Sequence, residues 1–397
     1  MLKCDSKLIV VEVALRCEAT GFQADHFRAT CRFENGVELL GRTAPERTPQ
    51  QVPSAHLALD PARDLYDRML FHTGRFRRVA NYRVLRAREC VVQLEPFLGA
   101  NWFGRYLPQD RVLGCGAVRD AAIHAIQACI PHARLLPVGV RRITMGLAPC
   151  LAEQMQGCEC LPELLLCARE TLREGDTFHY DLELLGPGGM VLEKWEGLRL
   201  RKVEALSNEG VWPEALLGPY LERRLEELAP GARVNVALER GVTSDEALRG
   251  LLGGGVTIHR RADGKPLVSG EGAISVSHTG ELTFAVAGGG AIGCDLESVT
   301  HRSVETWRGL LGAERFRLAE LIAGNEDFDS AATRVWTSAE CLKKAGAMSD
   351  APLTLAASHP DGWVVLHSGA QTIATCAASV GGTAGRTVLG VLAASAS

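Results

Sequence analysis

Three carboxylates and a lysine in the carboxyl-terminal half are spaced for work on phosphates. In Ala291-Ile-Gly-Cys-Asp-Leu-Glu297 the two-residue period of a strand puts Asp295 and Glu297 on one face and Ile292, Cys294 and Leu296 on the other. At ~5 Å and an effective dielectric of about 20 two carboxylates repel by roughly 3 kcal/mol, a cost that a shared divalent cation reverses. An all-oxygen pair suits Mg²⁺ better than zinc, although an isolated Asp-x-Glu reads equally as a solvated strand edge. From Asp329 to Gly346 the spacing predicts a helix, with Ala331, Val335, Ala339 and Leu342 as its apolar stripe and Gly346 as its stop. Trp336, Glu340 and Lys344 recur every fourth residue on a separate face. Alone, Glu340 and Lys344 are a surface ion pair worth about 0.3 kcal/mol.

Four motifs in one order change that balance. Gly264-Lys-Pro266, Ser275-Val-Ser-His278, Gly293-Cys-Asp-Leu-Glu297 and Trp336-x-x-x-Glu340-x-x-x-Lys344 resemble the 4′-phosphopantetheinyl transferases of the larger, surfactin-synthetase-activating type, over roughly Asp263 to Ala394. The resemblance implies transfer of the phosphopantetheine arm of coenzyme A to a serine of an acyl carrier protein domain, a holo-carrier synthase activity. It makes Asp295, Glu297 and Glu340 the Mg²⁺ ligands and Glu340 the base for the carrier serine. Lys344 then steadies the phosphates, Ser277 and His278 meet the 3′-phosphate and adenine end, and Lys265 with Arg260 or Arg261 adds positive charge. The family's lysine before the glutamate is Ala339 here, and Gly346-Ala-Met-Ser replaces its Gly-Lys-Gly.

Gly288-Gly-Gly-Ala-Ile-Gly293 matches a dinucleotide-binding pattern, but a strand rather than a helix is expected after it, so a glycine-rich hairpin is the better reading. With 397 residues and a net charge of −4, the chain has length for two or three domains and no charge for nucleic acid. It carries neither a signal-peptide pattern nor an apolar run long enough to span a bilayer, so a cytoplasmic location is expected. Its 13 cysteines are scattered through apolar segments and read as reduced thiols; Cys150, Cys158, Cys160 and Cys167 cluster without a Cys-x-x-Cys.

Arg42 to Ala62 reads as a connector, and Ser207-Asn-Glu-Gly-Val-Trp-Pro213 as a boundary before helical periodicity from Glu214 to Leu228. Upstream, Leu8–Arg16, Phe27–Phe33, Cys90–Leu94 and Gly189–Val203 look like strands, and Val118–Cys129 like a helix presenting Asp120 and His124 one turn apart. Asp64-Leu-Tyr-Asp-Arg-Met-Leu-Phe-His-Thr-Gly-Arg-Phe76, Arg119-Asp-Ala-Ala-Ile-His-Ala-Ile-Gln127 and Leu136-Pro-Val-Gly139 resemble the second half of a polyketide synthase dehydratase of double-hotdog fold. That similarity makes Asp120 the acid assisting departure of a β-hydroxyl and His124 a supporting polar residue. The family's histidine base, in a His-x-x-x-Gly-x-x-x-x-Pro motif, is absent, and Leu8 to Phe33 resembles only the last strands of a first hotdog.

A dehydratase joined directly to a phosphopantetheinyl transferase is similar to the carboxyl end of an enediyne polyketide synthase. The expected fold is α+β: a partial double-hotdog region over residues 1–205, then a two-lobed α+β transferase domain over 206–397. Mg²⁺, coenzyme A as substrate, a carrier domain as partner and a homodimer are the associated expectations. Two rivals stand beside the transferase reading. One is a dehydratase of β-hydroxyacyl thioesters whose histidine comes from an upstream segment; the other is a degenerate carrier-docking module. With Asp120 alone, little dehydration is expected.

Overall fold

The computed structural model describes residues 8–34, 55–66, 68–96, 115–145, 163–207, 210–252, 256–262, 264–269, 272–348 and 350–393. Most of the 42–62 connector, with Cys150, Cys158 and Cys160, lies outside them. Strands β1 (Leu8–Leu15) and β2 (Phe27–Glu34) pair antiparallel with each other alone, and β1 is exposed along its whole length. Alternation placed both strands correctly, but among the described residues they form a separate ribbon.

After the single turn α1 (Pro61–Asp64), capped by the Asp60 carboxylate accepting from Ala62 N, come β3 (Val79–Leu85) and β4 (Glu89–Leu94). Helix α2 (Gly116–His124) runs on as a tighter turn to Cys129. Strands β5 (Ala133–Gly139), β6 (Arg142–Met145), β7 (Leu164–Glu174), β8 (Thr177–Leu185) and β9 (Val191–Ala205) complete a seven-stranded antiparallel sheet in the order β3-β4-β7-β8-β9-β5, with β6 on β9. The β7–β8 turn needs a left-handed residue, and Gly175 supplies it at φ +57°. Phe178, Tyr180 and Leu182 alternate inward on β8 and pack in one core with Ala121, Ala122, Ala125 and Ile126. The result is a half-barrel of sheet around one helix, consistent with a hotdog fold. Among the described residues it is a single such unit.

The second half begins with β10 (Val211–Trp212) and α3 (Glu214–Leu228), the helix that periodicity marked. Then follow β11 (Val234–Arg240), α4 (Ser244–Leu252), β12 (Ile258–Arg260), β13 (Pro266–Val268), β14 (Ala273–Thr279), β15 (Leu282–Gly288) and β16 (Ile292–Ser298). Helices α5 (Val304–Ile322) and α6 (Phe328–Lys344) precede β17 (Thr354–Ser358), β18 (Trp363–Ser368), β19 (Gln371–Val380) and β20 (Arg386–Ala393). One sheet is β11-β15-β14; another is β16-β20-β19-β18-β17 with β10 parallel to β19.

The glycine-rich segment 288–293 is therefore no hairpin: β15 and β16 belong to different sheets, and the segment carries the chain across. Its strand-after-glycine context does exclude the dinucleotide motif, as expected. Helix α6 starts on Asp327, whose carboxylate accepts from Ser330 N, and lies on β16 so closely that a Cβ at Gly293 would collide with the Cys341 carbonyl. Only glycine permits that approach.

Helix α3 joins the two halves. Glu222 accepts from Ala87 N at 2.7 Å and Val236 N at 2.8 Å, and Arg223, fully buried, pairs with Glu170 at 2.7 Å. A single hydrophobic core runs from Leu59 through α2 and α3 to Ala393, crossing the expected boundary near residue 207.

Candidate active site

The half-barrel opens into a pocket of about 400 Å³ between α2, the segment before β3, and β5. Its walls are largely apolar, with Phe71, Phe76, Ile123, Leu136 and Pro137 among them, and its titratable groups are His72, Asp120, His124 and Arg134. Asp120 and His124 share a face of α2, as their spacing predicted, and His124 Nδ1 stands 3.3 Å from Asp120 Oδ2. His124 is buried, and its Nε2 meets the Tyr66 hydroxyl at 3.0 Å; that hydroxyl also accepts from Val79 N at 3.2 Å. With the Tyr66 hydroxyl donating to Nε2, His124 carries its proton on Nδ1 and donates to Asp120. The orientation of His124 is thus set by Tyr66 on one ring nitrogen and Asp120 on the other.

His72 was not among the expected site residues. It comes from the segment ahead of β3, 48 positions before Asp120, yet its Nε2 lies 3.4 Å from the same Asp120 Oδ2. Its ring stacks on His124 at 3.9 Å between centroids and on Phe71 at 4.4 Å. Burial, and then the neighbouring His124, hold its pKa below the ordinary imidazole value, with Asp120 opposing. The neutral imidazole is the form that takes a proton. Among the described residues, the ligand atoms of His72, Asp120 and His124 all lie within 4.8 Å of one another, close enough for a transition-metal ion. Without an ion, they form a carboxyl group between two imidazoles lining a largely apolar pocket, an arrangement able to move protons on a bound acyl chain.

The second set of expected residues gathers where α6 crosses β16. Lys344 Nζ donates to Asp295 Oδ1 at 2.8 Å and to the Cys294 carbonyl at 3.0 Å; burial works against its charge, but Asp295 raises its pKa above the ordinary lysine value. Glu297 accepts from the Trp336 indole at 3.2 Å, and burial followed by repulsion from Asp295 pushes its carboxyl upward, with Glu340 adding to the effect. Asp295 Oδ2 is buried with no hydrogen-bond partner among the described residues. Glu340 pairs at 3.3 Å with Lys343, three residues further along α6.

The residues expected at the phosphates make contacts within the fold. Ser277 is buried and donates to Asp295 Oδ1 at 2.8 Å, so its hydroxyl braces the carboxylate. His278 is exposed, but both its nitrogens are engaged, with Ser244 at 2.8 Å and Thr283 at 3.0 Å. Arg260 is held by Asp245 at 2.6 Å and the Gly264 carbonyl at 3.0 Å, and Arg261 takes part in the same turn through its backbone N–H to Lys265. Lys265 Nζ donates to the Lys344 carbonyl at the end of α6. Asp295, Glu297 and Glu340 do not converge as tightly as the group around Asp120.

Residues 43–209 match the family model described as polyketide synthase dehydratase N-terminal domain, which contains the whole Asp120 pocket. The match stops short of the Asp295 cluster. No curated protein matches the chain. Among solved structures, the dehydratase domain of a mycocerosic acid synthase-like polyketide synthase is 19% identical over 45% of this chain and 59% of its own, with a TM-score of 0.32. The dehydratase domain from the CurJ module of curacin polyketide synthase is 17% identical over 45% and 60%, TM-score 0.29; a trans-acyltransferase polyketide synthase enoyl-isomerase is 10% identical over 49% and 71%, TM-score 0.33. The chain thus spans about 59% of the length of the first of these. Among the described residues no helix is long and apolar enough to cross a membrane.

Proposed function

We propose that residues 43–209 act as a dehydratase, removing water from a β-hydroxyacyl thioester carried by an acyl carrier protein domain. The observation that carries the reading is Asp120 lining a largely apolar pocket inside the region that matches the dehydratase model. An acyl chain is accommodated by Phe71, Phe76, Leu136 and Pro137, and Asp120 is the group placed to protonate a departing β-hydroxyl. His124 and Tyr66 fix the carboxyl behind it. The test is conversion of a β-hydroxyacyl pantetheine thioester to its enoyl product by the purified chain, with Asp120→Asn as control.

A second reading rests on one observation in the other half. A buried Asp295 Oδ2 without a hydrogen-bond partner among the described residues, beside Glu297 and with Lys344 on the other oxygen, is an acceptor suited to a cation. On that reading residues 206–397 are a phosphopantetheinyl transferase unit, and Asp295, Glu297 and Glu340 would hold Mg²⁺. Their oxygen-only donor set fits that ion, which when bound neutralises a pyrophosphate. Glu340, half-buried and paired with the exposed Lys343 at 3.3 Å, would take the carrier serine proton. Mass spectrometry of an apo carrier domain incubated with this chain, coenzyme A and Mg²⁺ tests it; an unchanged carrier mass refutes it.

A further inference from the structure

We infer that His72 is the base of this dehydration, so that the proton-transfer pair is complete within one half-barrel. The inference rests on the dehydratase reading. Elimination needs a base for the α-proton and an acid for the β-hydroxyl, and the pocket offers two imidazoles beside Asp120. They are not equivalent. His124 is committed at both nitrogens, to Asp120 at 3.3 Å and to the Tyr66 hydroxyl at 3.0 Å, and is buried beneath His72. His72 has one short contact, through Nε2 to Asp120 at 3.4 Å, and it lies between Phe71 and His124 in the pocket wall.

The balanced step is as follows. The Cα–H bond breaks and its proton goes to His72 Nε2. The electron pair becomes the Cα=Cβ bond, the Cβ–O bond breaks, and the leaving oxygen takes the proton of Asp120 to depart as water. His72 is then imidazolium and Asp120 carboxylate, and the proton returns across the 3.4 Å Nε2–Oδ2 contact, restoring both groups. No other reactant enters.

A β,γ-alkynyl thioester of N-acetylcysteamine reports the base directly. Loss of its α-proton to the base isomerises it to an allenyl thioester, and the same imidazole then adds to the β-carbon, forming a permanent N–C bond. Trypsin releases His72 in Met69-Leu-Phe-His-Thr-Gly-Arg75, a peptide with one histidine, whereas His124 falls in Asp120 to Arg134. The expected result is one adduct per chain on the 69–75 peptide. In parallel, His72→Gln and His72→Ala, confirmed as folded by thermal unfolding, should lose at least 100-fold in dehydration, and free imidazole should restore part of the loss in His72→Ala. An adduct on any other residue, no adduct from protein that dehydrates, or folded His72 variants that dehydrate normally would overturn the inference and leave the dehydratase reading intact. Wild-type protein that neither dehydrates nor labels overturns both.

Discussion

His132 lies where the turn after α2 meets α3, its ring tilted against Tyr220 at 5.4 Å and its Nδ1 buried with no partner among the described residues. Burial pushes its pKa down from 6.5 to about 4; Glu227 opposes this, and Arg224, Lys202 and Arg223 reinforce it. Above pH 6.5 the ring is neutral in folded and unfolded chains and contributes no pH dependence. As pH falls toward about 4, the unfolded chain takes a proton that the folded chain refuses, so stability declines; below that value both are protonated and the decline from this group ends. A shift of this size corresponds to about 3 kcal/mol in full and about 2 kcal/mol between pH 7.5 and pH 5.0. His132→Gln keeps a neutral polar side chain and removes the titration. Urea unfolding of both proteins at the two pH values should show the wild type losing about 2 kcal/mol more than the variant on acidification. Equal losses would refute the assignment of a neutral, desolvated imidazole at this junction.

Other substitutions test the packing that positions the two clusters. Arg223→Met strands Glu170 in the core, 2.7 Å from the guanidinium it had, and should cost about 4 kcal/mol in chemical denaturation. Gly293→Ala drives a Cβ into the Cys341 carbonyl, so α6 must lift from β16; a loss of about 3 kcal/mol in urea unfolding is expected, with reduced quenching of Trp336 by its neighbours. Tyr66→Phe removes the hydroxyl that orients His124 but leaves Asp120 and His72 in place, so dehydration should fall about tenfold without loss of the folded state. Lys344→Met removes the partner of Asp295 and leaves a buried carboxylate; calorimetry should show destabilisation by about 3 kcal/mol that millimolar Mg²⁺ reverses if the carboxylates hold it.

Local pattern carried the elements well. Helices α3 and α6, strands β4, β9 and β16, and the convergence of Asp295 with Glu297 toward α6 follow from periods of 3.6 and 2, although α3, α6 and β16 are buried on more than one face. Asp120 and His124 were legible as a pair because one helix turn separates them. His72 was not, since its meeting with Asp120 depends on how the segment before β3 folds over α2, which no spacing encodes. The glycine-rich segment was misread as a hairpin because turn composition says that the chain reverses, not which sheet receives the next strand. The resemblance named Ser277 and Arg260 for the phosphates, and their contacts with Asp295 and Asp245 in the folded chain are ones that no spacing encodes.

The most direct measurement is the rate at which purified protein converts a β-hydroxyacyl pantetheine thioester to the enoyl thioester, followed by its absorbance, for the wild type and Asp120→Asn. The account predicts an enoyl product from the wild type and a fall of about 100-fold or more in the variant, the scale of a lost general acid. Folded wild-type protein that forms no enoyl product, or a variant as fast as the wild type, would contradict it.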